Sequence, residues 1–117
     1  MVTKPIDLLL GIFLFICGHF FVFYQLNGQF IWKSFVKHEW AVAAAGFFIS
    51  FMFMWGTKYT ISGTGDLLWP ARFIGFGCGM VIYALLVSYH FNEGINMKTI
   101  VSLLICAALI GVQLFWK

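Results

Sequence analysis

Charged residues are scarce in this sequence. Only 9% of its 117 residues are charged, whereas 62% are hydrophobic. A soluble domain carries about 25% charged and about 45–50% apolar residues. Because these few polar groups cannot cover a water-exposed surface, we expect lipid to be the solvent for most of the chain. The 15 Phe and five Trp residues agree, because aromatic side chains suit lipid-facing and interfacial positions.

Several chemical patterns are also missing. The seven Lys and Arg residues are scattered singly, so no basic stripe follows a phosphate backbone and we expect no nucleic acid as partner. Cys17, Cys78 and Cys106 lie apart in apolar runs, without the Cys/His spacing of a metal site. Paired carboxylates, a Ser/His/Asp order and a phosphate-binding loop are not evident. We therefore predict no enzyme activity, no metal and no cofactor.

Four long apolar runs are present. A membrane-spanning helix needs about 20 mostly apolar residues, and the segments that fit are about 5–25, 40–57, 67–90 and 99–116. The runs are continuous rather than alternating, and an open sheet cannot satisfy its backbone in lipid. The first run is longer than the core of a cleaved signal peptide and has no small-x-small site, which favours a retained helix. These runs predict an all-α integral membrane protein, a four-transmembrane-helix bundle forming one membrane domain over residues 1–117.

Local signals mark the helix ends. Pro5 suits the first position of a helix, while Asp66 and Asn96 suit the N-caps of the third and fourth helices. Residues 59–66 are predicted to connect the second and third helices. Residues 29–39 combine aromatic and basic side chains, which is typical of a segment among lipid headgroups. The connections are short, so neighbouring helices are expected to run antiparallel in a bundle.

The charge balance leaves the orientation open. An even number of helices puts both termini on one side, and Lys and Arg in short loops set the orientation. The two sides of the membrane carry nearly equal numbers of basic residues. One side has Lys4, Lys58, Arg72 and Lys117, and the other has Lys33, Lys37 and Lys98. Either the chain inserts both ways and pairs head-to-tail with itself, or a single charge or a partner fixes one orientation.

His19 and Arg72 are basic residues inside the predicted helices. Ionisable groups at membrane depth usually face a bundle interior or a water-filled cavity. His19 either exchanges a proton near neutral pH or donates to a carbonyl on a neighbouring helix. Arg72 either binds an anionic substrate, pairs with Asp66 or Glu39, or extends to the headgroups. Both are candidates for substrate binding or proton coupling.

Aromatic and small residues supply the other candidates. Four aromatic side chains are candidates for lining a pocket that stacks on a hydrophobic or cationic ligand: Tyr59, Trp55, Trp69 and Tyr83. For Tyr59 and Trp69 the alternative is a place in the interfacial aromatic belt. Gly75 and Gly79 share one face of the third helix, in the small-xxx-small spacing that lets helices approach closely. This spacing predicts a contact with another helix, in the same chain or in a second one.

Two stretches beside the predicted connections contain distinctive residues. Residues 59–69, Tyr-Thr-Ile-Ser-Gly-Thr-Gly-Asp-Leu-Leu-Trp, include a Tyr, a Gly and a Trp, and residues 91–96, Phe-Asn-Glu-Gly-Ile-Asn, precede the last predicted helix. These stretches resemble the small multidrug resistance family of the drug/metabolite transporter superfamily. The first has the family's Tyr, Gly and Trp spacing between its second and third helices, and the second is similar to the superfamily's hairpin before the last helix. The resemblance implies a bundle of that type, with Tyr59 and Trp69 in a substrate-contacting region, and a homodimer that is antiparallel if the chain inserts both ways.

The same resemblance shows a departure in the first helix. The family carries an essential glutamate there, and the residue nearest to that position in this chain is His19. The expected function is a small dimeric transporter of unknown substrate in the lipid bilayer of a cell's inner (plasma) membrane. The alternatives are a structural accessory subunit of a larger membrane complex and, third, a membrane-permeabilising protein.

Overall fold

The helices match the prediction of an all-α membrane protein. The computed structural model describes residues 2–116, and no strand occurs among them. Four segments are long and apolar enough to cross a membrane, which confirms the four-helix bundle. The helices are α1 (Pro5–Asn27), α2 (Lys33–Lys37), α3 (Glu39–Ala44), α4 (Gly46–Gly63), α5 (Leu68–His90) and α6 (Met97–Phe115), with a 3-10 turn at Gly28–Phe30. Ala45 is itself helical in its backbone angles, so α3 and α4 form one span.

The bundle is built around α1. It packs antiparallel to α4 and parallel to α5, while α6 packs on α5. The buried core cluster consists of Leu8, Phe15 and Ile74. Both described ends of the chain lie on the same side, because Thr3 bonds to the end of α4 and Trp116 lies beside the start of α5. Lys117, which entered the predicted charge count, lies outside the described residues.

Glycines bring the backbones of α1 and α4 into direct contact. A Cβ atom built on Gly11 would lie 2.7 Å from the backbone nitrogen of Thr60, and one on Gly63 would lie 2.6 Å from that of Leu8. Only hydrogen in place of a side chain lets the two backbones touch there, and close backbone approach is a main source of helix association in lipid. We call this contact the α1–α4 seam.

The second span is longer than predicted. It begins at Glu39 and ends at Gly63, so residues 59–63, predicted as a connection, are helical. The Ser-Gly-Thr-Gly signal is overridden because this part of α4 packs on α1. The Thr64 hydroxyl also donates to the Thr60 carbonyl oxygen at 2.8 Å, which closes the last turn. The α4–α5 connection is therefore only residues 64–67.

The predicted helix caps have different outcomes. Asn96 caps α6 as predicted, since its Oδ1 accepts from the Thr99 backbone N–H at 3.0 Å. Pro5 begins α1, also as predicted. Asp66 does not cap α5: the N-cap residue is Leu67, and it makes no side-chain cap bond. Asp66 instead has a left-handed backbone (φ 61°) and belongs to the preceding turn.

Candidate functional site

A cleft between α1, α4 and α5 is the main candidate site. Its volume is about 830 Å³, within the range of about 300–1,000 Å³ that is usual for ligand pockets. His19 and Arg72 both line it, so the structure brings together two of the four predicted binding residues. The other lining residues are apolar, aromatic or uncharged: Phe15, Val22, Leu26, Phe53, Thr57, Ile61, Leu68, Ala71, Gly75, Phe76, Gly79, Met80 and Tyr83.

His19 is held against α5 by a hydrogen bond. Its Nε2 lies 2.9 Å from the Gly75 carbonyl oxygen. A carbonyl oxygen can only accept, so Nε2 carries the hydrogen and Nδ1 holds the lone pair of the neutral ring. The ring also meets Phe53 edge to face, with centroids 4.9 Å apart. This is the interhelical bond that the structural interpretation of His19 required, while its role in proton coupling stays a prediction.

Gly75 and Gly79 lie where α5 meets α1, so the predicted helix contact is within this chain. A Cβ built on Gly79 would lie 2.6 Å from Cε1 of the His19 ring, and one on Gly75 would lie 3.3 Å from Cζ of Phe15. The two glycines therefore make room for side chains of α1, not for its backbone. The imidazole is seated directly on Gly79.

Arg72 lies on the same wall of the cleft, one turn before Gly75. Residues three apart share a helix face and are roughly 4.5 Å apart along the axis. The Arg72 side chain is exposed. The predicted pairing with Asp66 or Glu39 is not formed, since no carboxylate of residues 2–116 lies within 4.0 Å of a Lys, Arg or His nitrogen. Glu39 begins the second span at the opposite end of the bundle, and Asp66 lies in the α4–α5 connection.

Tyr59 and Trp69 lie outside the cleft. Tyr59 is half-buried, and its ring centroid is 5.6 Å from Nζ of Lys58. Trp69 is 69% exposed and packs on Phe73, with ring centroids 6.0 Å apart. Trp69 also borders a smaller groove against the end of α6. The part of both residues in substrate contact stays a prediction, and their positions near the helix ends suit an interfacial belt.

The α4 wall of the cleft was missed by sequence reasoning. Phe53, Thr57 and Ile61 line it. Their spacing of four places them on one helix face, and this regularity was the available signal. It carried little weight because α4 is apolar almost all round, so periodicity does not single out an inner face.

A second cavity of about 800 Å³ lies between α5 and α6, near their connection. It is more polar than the cleft, with Glu93, Lys98 and several Asn, Ser and Thr residues in its wall. Met80 and Tyr83 border both cavities.

Within the described part of the chain, no cluster of three or more His, Cys, Asp or Glu side chains is suited to a metal ion.

Together the four spans define a multi-pass integral membrane protein. No protein-family model, curated protein or solved structure matches this chain. The resemblance to the small multidrug resistance family thus rests on the residues quoted for it, and the activity must be argued from the cleft.

Proposed function

We propose that this protein is a small transporter that binds its solute in the cleft between α1, α4 and α5. The observation that carries the proposal is the presence of His19 and Arg72 in one otherwise uncharged cavity. Ionisable side chains inside membrane helices are costly and commonly mark a substrate or ion path. A mostly apolar pocket with a few convergent polar groups is the usual form of a ligand site.

The bonding of His19 supports a role in moving a proton or a solute. Its Nε2–H is engaged by Gly75, which fixes the ring, and Nδ1 keeps a lone pair. A ring fixed in this way can accept a proton or a hydrogen bond at Nδ1 without leaving its seat on Gly79. The α1–α4 seam would act as a rigid body, with α5 and α6 moving against it to expose the cleft on alternate sides.

The proposal includes a homodimer in a cell's inner membrane. The dimer is implied by the resemblance to the small multidrug resistance family, and it is antiparallel if the nearly equal charge sets allow both orientations. No residue of α6 is buried, so that helix has surface to offer to a second copy.

The test is flux in reconstituted vesicles. Purified protein would be screened with cationic, anionic and lipid-like solutes, and solute-driven proton flux would be recorded together with solute uptake. We expect His19→Ala to abolish coupled flux. His38→Ala is the matched control, because His38 is exposed and bonds only within its own short segment, to the Ser34 carbonyl. Unchanged flux in His19→Ala would remove His19 from the mechanism, and no flux with any solute would overturn the transporter.

The accessory-subunit alternative is favoured by one observation. Over the whole length of α6 no residue is buried, so a helix of a different protein could cover that surface. Purification in a mild detergent separates the two candidates. Stoichiometric recovery of other subunits supports the accessory role, whereas an isolated homodimer supports the transporter.

A further inference from the structure

We infer that the solute of the cleft is an amphipathic organic anion, an acid group carried on an apolar body. This inference rests on the proposed function and names its substrate class. The family resemblance would instead suggest a cationic compound. Three properties of the cleft support it: the sign of its charge, the spacing of its basic groups and the nature of its remaining wall.

The charge of the cleft has one sign. Arg72 is its permanently charged side chain, His19 is the other ionisable base, and its wall contains no Asp or Glu. No carboxylate of residues 2–116 neutralises Arg72. A bound acid would supply the opposite charge and form charge-assisted hydrogen bonds with the guanidinium, so it would stabilise this cleft. A cationic solute would instead meet like charge with no counter-ion.

The spacing of the two bases places them along one wall of the cleft. His19 is bonded to Gly75 and its ring rests on Gly79, which lie three and seven residues after Arg72 on α5. The two bases are therefore separated by about one to two helical turns along α5. The guanidinium presents two parallel N–H donors, a geometry that matches carboxylate and phosphate oxygens. An acid bound at Arg72 therefore lies on the same wall as His19.

The rest of the wall suits an apolar body. It runs along α5 from Leu68 to Tyr83, a distance of roughly 22 Å at the rise of an α-helix. Most of its side chains are aliphatic or aromatic. Thr57 is the only side chain from α4 in this wall that can form a hydrogen bond. A solute with a charged head and a long apolar tail uses both parts of the cleft.

A free acid fits better than a resident lipid. His19 lies eight residues before the end of α1, which is roughly 12 Å along the helix from its nearer end. A membrane lipid keeps its phosphate in the headgroup region, where it would reach Arg72 but not His19. Contact with both bases requires an acid that enters the cleft, so we assign the site to a free amphipathic acid.

The experiment compares two amphiphiles with the same tail and opposite heads. Radiolabelled dodecanoate and dodecyltrimethylammonium would be bound to the protein in phosphatidylcholine nanodiscs, with empty nanodiscs as background. We expect saturable binding of dodecanoate and no competition by dodecyltrimethylammonium. Equal or tighter binding of the cation would overturn the inference.

Variants test whether the basic groups carry the binding. Arg72→Gln should weaken dodecanoate binding about tenfold, the usual scale for losing a charge-assisted hydrogen bond, and Arg72→Lys should keep part of it. Lys58→Gln is the matched control, since it removes a cation from the same end of the bundle but not from the cleft wall. Its effect should stay within twofold. Equal weakening by Arg72→Gln and Lys58→Gln would overturn the site.

Binding measurements with an added anionic lipid distinguish a free acid from a lipid headgroup as the ligand of the cleft. Replacing part of the phosphatidylcholine with phosphatidylglycerol should leave dodecanoate binding unchanged. Displacement by phosphatidylglycerol would assign the cleft to a lipid headgroup and overturn the free acid. Failure of the transporter proposal is distinguishable: dodecanoate binding without flux in vesicles refutes transport alone, whereas flux of a cation without dodecanoate binding refutes this inference alone.

Discussion

The two neighbours of α1 are held in different ways. Along α4 the backbones themselves come into contact, at Gly11 and Gly63, with side-chain packing beside them. Along α5 it is made by side chains, with Phe15 and His19 resting on Gly75 and Gly79. The first contact leaves no space between the helices, and the second borders the cleft.

The two contacts therefore have different physical roles. In lipid, helices associate through van der Waals packing and interhelical hydrogen bonds, since lipid tails are as apolar as the side chains. The seam maximises packing, so it suits a fixed platform. The α1–α5 contact depends on side chains and on two interhelical hydrogen bonds, His19 to Gly75 and Tyr24 to His90, and it keeps polar groups accessible. Substitutions that add or remove single groups can test whether the two contacts differ in this way.

The largest effect is expected for Gly11→Ala. The new methyl group would press on the Thr60 backbone nitrogen and on the Gly56 carbonyl oxygen, 2.7 and 3.0 Å from the built Cβ. Backbone atoms cannot move aside cheaply, so we expect a loss of about 2 kcal/mol in the free energy of unfolding, measured by reversible unfolding in mixed micelles.

Gly111→Ala is the matched control for that measurement. A Cβ built on Gly111 meets no other atom within 4 Å, so its effect should lie within about 0.5 kcal/mol. Equal losses for the two variants would show that the seam is no tighter than the outer surface of α6, and the comparison would fail.

A smaller effect is expected for Gly79→Ala. The added methyl group would meet the imidazole of His19, and a side chain can turn away where a backbone cannot. We expect a loss of about 1 kcal/mol, because the ring must leave the Gly75 carbonyl oxygen. The loss should vanish when Gly79→Ala is made in a His19→Ala background, which gives a coupling energy of about 1 kcal/mol. Additive losses would show that the imidazole does not rest on Gly79.

The smallest effect concerns the two fully buried threonines of the seam. The Thr64 hydroxyl donates to the Thr60 carbonyl oxygen at 2.8 Å, whereas Oγ1 of Thr60 has no partner among the described residues. Hydrogen bonds in membranes are worth about 0.6 kcal/mol on average. Thr64→Val should therefore lose about that much stability, and Thr60→Val should be nearly neutral. A clear loss in Thr60→Val would show that its hydroxyl does find a partner.

The spans were predictable from the sequence because lipid imposes a simple requirement. A run of about 20 apolar residues has few other stable forms in a membrane, and the starts at Pro5 and Asn96 follow from local backbone chemistry. The end of α4 was not predictable in the same way. Turn-forming residues at 62–65 favour an early end, and packing of Leu8 on Gly63 outweighs them.

The candidate site was predictable only in part. His19 and Arg72 stand out as ionisable residues in apolar runs, so composition alone points to them. Their proximity depends on the register between α1 and α5, which brings His19 to Gly75 across 56 positions of sequence. Single-helix patterns do not contain that register. Among the aromatic candidates, Tyr83 lines the cleft, whereas Tyr59 and Trp69 lie outside it, and their part in substrate contact stays a prediction.

The position of the seam in the chain has a consequence for biosynthesis. Its contacts run from the bond between Thr3 and Gly63 to the packing of Gly18 on Phe53. All of them lie within the first 65 residues of the chain, which are made before α5. Segments made first can fold first. This order of synthesis allows the hairpin of α1 and α4 to form before α5 packs on it and completes the cleft.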